Sequence, residues 1–233
     1  MKNSKNIRLI EFLIVIAVAF GSQIFTSVCI QLTGAELYYN NQYAKYPLIF
    51  FGGSIVLNLA IIALVIYLIL RQGRNLKELG FSLLWKDFII SIVLAFVAYI
   101  VTIFGGIILS KGYYMIIGMK LNLHPKNTEF LKAGINLWSV TAMLVNPFYE
   151  EIIVRCYIIS EVKFLTNSVA LALFLSVIIQ STYHLYQGFV PALLLTGMFT
   201  VFSLYYIKWQ RIMPVILAHL YFDLIALFSA ASH

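Results

Sequence analysis

A chain of 233 residues that is 62% hydrophobic and 11% charged, with a mean hydropathy of +0.93, falls far from the roughly 25% charge of soluble domains and reads as an integral membrane protein. At about 20 residues for each crossing of a hydrocarbon core, the length allows one all-α domain, a polytopic transmembrane bundle of about seven spans, and leaves no soluble domain over. The formal charge of +7 sits mainly in short loops between apolar runs. That is the pattern of topology signals and headgroup contact, so the lipid bilayer is the expected partner and nucleic acid is not.

The first span is expected over about Ile7 to Leu32, after Lys2, Lys5 and Arg8, and reads as a retained helix rather than a cleaved leader. Glu11, near its end, is expected to snorkel to the interface. The Tyr-rich stretch AELYYNNQYAKY belongs at a membrane surface. A second span runs from about Pro47 to Leu70, and the segment after it carries Arg71, Arg74, Lys77 and Lys86. The third, about Phe88 to Ser110, leads into a basic and partly apolar linker, part of which continues the helix or lies in the interface. His124 in that linker is expected to be an exposed loop residue.

A fourth span, about Ile135 to Ser160, is followed by a fifth from about Ser168 to Tyr186, a sixth from about Phe189 to Ile207, and a seventh from about Pro214. Cys29 and Cys156 fall within spans, so neither a structural disulfide nor a cysteine metal site is expected. About ten basic loop residues lie on the side of the N-terminus against five on the other. That asymmetry favours a cytoplasmic N-terminus, and small size without appended domains suggests a bacterial cell membrane.

The chemistry concentrates in NPFYEEIIVRCYI, Asn146 to Ile158, which places two carboxylates and a guanidinium inside a span. A charge near the bilayer centre costs roughly 2.5 to 3.5 kcal/mol on insertion scales, so such residues are usually paired and functional. Helical neighbours diverge by about 100° while residues four apart share a face. Glu151 and Arg155 can therefore pair within the helix, which leaves Glu150 on another bearing and free to react with water as a base. A buried ion pair joining helices would explain Glu151 and Arg155 but not Glu150.

His184 lies in the fifth span and His219 in the seventh, with Asp223 four residues on and able to fix the tautomer of His219. Three spans thus contribute ionisable side chains, and their convergence on one polar cavity is the economical reading. The span limits above resist it. They put Glu150 and His184 at different depths, because the two helices run in opposite directions, and a common cavity requires each limit to move inward.

Glu150-Glu151-x-x-x-Arg155, then His184, then His219-x-x-x-Asp223 resembles, in order and spacing, the CAAX prenyl protease and bacteriocin-processing (CPBP, or Abi) family of intramembrane proteases. The likeness covers about the last hundred residues, with the motifs inside 134–229 of a single domain spanning 1–233. It implies a glutamate-dependent peptidase acting on a membrane-associated peptide or protein precursor. Glu150 would activate the attacking water, which His184 helps to hold. Glu151 and Arg155 would support the site, with His219 and Asp223 opposite, near the developing oxyanion.

No cofactor is favoured. A divalent metal such as zinc on Glu150, His184 and His219 is the alternative, although no HExxH signature is present. The sequence departs from the family pattern at Gln180, where a phenylalanine is usual, and at Val154 and Cys156, where phenylalanine and glycine are common. Asp223 stands where some members carry asparagine. An ionised aspartate cannot donate to an oxyanion, so orientation of His219 is the role expected of it. Two readings from other classes compete. A non-catalytic immunity or scaffold protein of the same fold would not need the Glu150 carboxylate, and a transporter or proton relay should show an inverted repeat, which is not visible.

Overall fold

Backbone inside hydrocarbon must satisfy its own hydrogen bonds, and each apolar run of the chain does so as a helix. The computed structural model describes residues 2–34, 45–77, 79–121, 123 and 135–231; most of the Tyr-rich stretch, and His124, lie outside them. Seven helices follow in order among the described residues. They are α1 (2–33), α2 (Leu48–Arg71), α3 (Trp85–Ile117), α4 (137–166), α5 (Val169–Tyr183, prolonged by a 3₁₀ turn His184–Gln187), α6 (Phe189–Trp209) and α7 (Met213–Ala231).

Five of them, α1, α2, α3, α5 with its 3₁₀ turn and α6, are long and apolar enough to cross a membrane. The expected fourth and seventh spans are helical but differ from these. Helix α4 carries Glu150, Glu151 and Arg155 in its middle, and the apolar part of α7 covers only Met213–Ser229. The third helix does extend into the linker, as far as Ile117.

Helix α4 is the axis of the bundle. All eight residues of its π-helical stretch, Ile152–Ile159, are buried, whereas α1 and α3 expose Phe25, Ile92, Phe96 and Ile108 on their outer faces. Exposed apolar faces of that extent suit a hydrocarbon surround rather than water. Helix α3 packs on α6 and α7, α5 on α6 and on the π stretch of α4, and α2 on the first half of α4. The second half of α1 lies against α5 and its 3₁₀ turn. The protein is thus a polytopic all-helical membrane bundle.

Charged groups fasten the helix ends. Glu161, fully buried at the end of α4, takes Arg8 Nε and Nη2 at 2.9 and 2.7 Å and Arg74 Nη1 at 3.1 Å, tying α1 and the α2–α3 loop to α4. Glu11 does not snorkel as expected: it pairs with Arg71 and accepts from Gln72, because those groups lie beside it at the end of α2. Both cysteines are free.

A second clamp joins the α6–α7 linker to the α2–α3 loop and the start of α3, where Arg211 donates to the Ser82 carbonyl at 3.2 Å and to both oxygens of Asp87 at 2.8 to 3.1 Å. Gly80 lets the two segments touch. Its φ is +84°, and a Cβ there would lie 2.4 Å from the Gln210 carbonyl oxygen and 2.5 Å from Arg211 Cα. Both contacts are with backbone, and the conformation itself disfavours a side chain. Gly80→Ala is expected to lower stability by about 2 kcal/mol, read from thermal unfolding in detergent, and an unchanged melting curve would show that this loop gives way freely.

The turn between α4 and α5 sets the depth of the polar residues. Helix α4 continues to Thr166, beyond the expected limit of Ser160, and Asn167 ends it in the left-handed region at φ 56°. Ser168 then caps α5, its Oγ accepting from the Leu171 amide at 3.1 Å. Glu150 lies sixteen residues before Thr166 and His184 fifteen after Val169. At about 1.5 Å per residue these antiparallel distances from the turn nearly match, so the two residues share a level because the α4 limit moves outward, not inward.

Candidate active site

Pro147 and the π stretch bracket the two glutamates of α4. Proline has no amide hydrogen for the preceding turn, and π-helical turns are frequent at functional sites. On this rod Glu151 points into the protein. Its side chain is fully buried, with Oε2 3.0 Å from Arg155 Nε and Oε1 2.7 Å from His219 Nδ1. The i,i+4 ion pair expected from the sequence is therefore present, and the carboxylate has a second partner on α7.

Arg155, also fully buried, donates to the Gln180 side-chain oxygen and, at 3.4 Å, to the Phe199 carbonyl. Its guanidinium lies 5.8 and 6.0 Å from the ring centroids of Phe199 and Phe202. Glu151, Gln180 and the Phe199 carbonyl thus share one planar cation, an arrangement that a guanidinium fork suits better than an ammonium.

Glu150 faces the other way and meets three donors. Gln180 Nε2 and the Tyr183 hydroxyl reach Oε2 at 3.0 and 2.5 Å, and Asn146 Nδ2 reaches Oε1 at 3.0 Å. Asn146 also lies 3.3 Å from Asp223 Oδ2. A carboxylate has about four lone-pair positions, so one on Oε1 remains for a water molecule. Gln180 connects the two glutamates, since its amide donates to Glu150 while its oxygen takes Arg155. The residue that stands where the family pattern has phenylalanine is thus a polar bridge between the two glutamates.

The two histidines are fixed differently. His184 Nδ1 lies 2.8 Å from the Gln180 backbone carbonyl, which can only accept, so Nδ1 carries a proton and, in the neutral ring, Nε2 is the acceptor. His219 has Glu151 as its nearer partner, with Asp223 Oδ1 at 3.5 Å and Glu150 Oε2 at 4.0 Å from Nε2. Orientation of that ring falls first to Glu151, not to Asp223 as the sequence suggested, because α7 packs directly on this part of α4.

These groups border one cavity of about 560 Å³, lined by Glu150, His184, His219 and Asp223 with Asn146 and Tyr183. At roughly 30 Å³ per molecule it has room for on the order of ten waters, so water has access to the Glu150 carboxylate. Glu151 and Arg155 stand behind the wall rather than in it. Among the described residues no group of three or more His, Cys, Asp or Glu side chains is placed to hold a metal ion.

Sequence reasoning missed several contributors. Asn146 and Tyr183 touch Glu150 directly; the first stands one turn before it on α4, and the second shares a face of α5 with Gln180 and His184. The apolar first half of the chain also takes part. Ser22, Gln23, Thr26 and Ser27 of α1 and Ser54 and Asn58 of α2 line the cavity. Phe20 stacks on Tyr183 with centroids 4.9 Å apart, Ser27 donates to the Tyr183 carbonyl at 2.7 Å, and Gln31 donates to that of Leu185 at 2.6 Å. Helix α1 therefore holds in place the tyrosine that meets Glu150. The clue was available as a run of polar residues within an apolar span.

Residues 132–225 match the family model described as Type II CAAX prenyl endopeptidase Rce1-like. No curated protein and no solved structure matches the chain. The matched stretch holds Glu150, Glu151, His184, His219 and Asp223, and over these residues the chain is similar to the Rce1-like type II CAAX prenyl endopeptidases.

Proposed function

We propose that the protein is an intramembrane glutamate-dependent endopeptidase that hydrolyses a peptide bond in a membrane-associated peptide or protein precursor. The observation that carries this is a carboxylate held by three donors at the wall of a cavity large enough for water and peptide, beside a histidine whose Nδ1 is fixed on a backbone carbonyl. Glu150 Oε1 and His184 Nε2 hold one water between them. As the water oxygen bonds to the scissile carbonyl carbon, Glu150 takes a proton; it then delivers that proton to the amide nitrogen as the C–N bond breaks.

His219 in its doubly protonated form offers Nε2–H to the oxyanion, and Asp223 with Glu151 orients the ring. Glu151 and Arg155 keep the helices in register, and Gln180 passes that register on to Glu150. This sequence needs no metal, and none of its steps is assigned to one. A cytoplasmic N-terminus fits the loop charges, and peptide processing of the bacteriocin-related kind at a bacterial cell membrane belongs to the same reading.

The test is cleavage of a panel of membrane-associated peptides by the purified protein in detergent, with products identified by mass spectrometry. Cleavage at one bond, unchanged by a chelator, is expected. Cleavage that chelator abolishes and zinc restores would overturn the metal-free chemistry. If a partner binds while no peptide is cut, the protein is an immunity or scaffold member of the fold.

A further inference from the structure

The charge balance of the cavity is one-sided. Two carboxylates, Glu150 and Asp223, line it, and no lysine or arginine does so among the described residues. The nearest guanidinium, Arg155, is fully buried behind the wall and engaged by Glu151, Gln180 and the Phe199 carbonyl. Glu151 and Arg155 offset each other. With a neutral His184, even a doubly protonated His219 leaves one negative charge in excess. Asp223 keeps about a fifth of its side-chain surface open, and its polar contacts are the long ones to Asn146 at 3.3 Å and His219 at 3.5 Å.

A second observation comes from another helix. Asn58 sits in α2, an otherwise apolar span, with only 9% of its surface exposed, and it lines the same cavity. Its amide has no hydrogen-bond partner among the described residues. The amide faces the water space of the cavity, and a group that enters there can take the place of that water and pair with it. An amide offers both donor and acceptor, as a peptide backbone does. Ser54, one turn away on α2, extends the same polar edge.

We infer that the cavity binds a peptide segment carrying a lysine or arginine side chain, with Asp223 as its counter-charge and Asn58 as a partner for its backbone. The inference rests on the peptidase reading for the consequence that this basic residue flanks the scissile bond, but the binding itself does not depend on catalysis. A field of one sign inside low-dielectric walls concentrates ions of the other sign by a factor of 10 or more. A basic segment is therefore drawn into this cavity and an acidic one is kept out.

Charge selectivity can be read without any substrate. In a Cys29→Ser background, with the fully buried Cys156 left in place, Ser54→Cys puts a thiol on the cavity wall. Its rates with a cationic and an anionic methanethiosulfonate are compared with those of free 2-mercaptoethanol. The cationic preference is expected to exceed that of the free thiol by about tenfold, and Asp223→Asn is expected to remove most of the excess. Thr26→Cys, on α1, serves as a second probe should Ser54→Cys fail to fold. A ratio equal to the free thiol's, or one untouched by Asp223→Asn, overturns the inference.

On a cleaved peptide, norleucine in place of the flanking basic residue should raise KM about tenfold or more with the wild type, and much less with Asp223→Asn. Asn58→Leu should raise KM more than it lowers kcat. Charge selectivity without cleavage of any peptide would sink the peptidase reading alone. Cleavage that ignores the basic residue, with no charge selectivity at the thiol, would sink this inference alone.

Discussion

Glu150→Gln is expected to reduce peptide cleavage by about 10² to 10⁴, the usual worth of a general base, while leaving a folded protein. Glutamine keeps the shape of the side chain and still accepts from Gln180 and Tyr183, but its amide cannot take a proton from water. The new NH₂ group would face the Asn146 amide, which already donates to Oε1 and lies against Asp223. One mismatched hydrogen bond should lower stability by only about 1 kcal/mol, so the loss of rate would not come from unfolding. Initial rates on one peptide, together with melting curves for both forms, make the comparison. If Glu150→Gln keeps more than a tenth of the wild-type rate, the assignment of the base is wrong.

Arg155→Leu is expected to have the largest effect on stability, a loss of about 3 to 5 kcal/mol, because it leaves Glu151 charged and buried without its cation. Glu151 would retain only His219, and Gln180 would lose the group that fixes its oxygen. The disorder should then reach Glu150 through Gln180, so activity falls along with stability. Arg155→Lys should recover part of the stability but not the geometry, since an ammonium cannot serve Glu151, Gln180 and the Phe199 carbonyl from one plane. Combining Arg155→Leu with Glu151→Gln removes both charges, and much of the stability should return without the activity. Thermal unfolding in detergent checks the series. A double variant no more stable than Arg155→Leu would mean that packing, not charge, dominates there.

The sequence was most informative where relations lie within one helix. Glu151 and Arg155 are four apart, and the turn angle of a helix alone brings them together. Asn146 and Glu150 have the same spacing and could have been found the same way; a neutral asparagine in a polar motif drew less notice than charges did. Relations between helices were harder to read. Whether His219 leans on Asp223 in its own helix or on Glu151 in another depends on how α7 packs against α4, which periodicity does not encode. Gln180 looked like a lost phenylalanine until its two ends were seen to join Arg155 and Glu150.

The depth of the site turned on a few residues at one helix end. Hydropathy stops at Ser160 because Glu161 and Lys163 follow, yet Glu161 is buried under Arg8 and Arg74 and the helix runs on to Thr166. A buried carboxylate with two guanidiniums reads in sequence as the edge of a membrane span. Glu11 misled in the same way, since the arginine that meets it lies 60 residues further on.

The most direct test of the account is to give wild type and Glu150→Gln, purified in the same detergent and shown to melt alike, one membrane-associated peptide that the wild type cuts. The account predicts a single new pair of termini with the wild type and, over the same time, almost none with Glu150→Gln. Equal cutting by the two forms would contradict it and move the catalytic base elsewhere in the cavity.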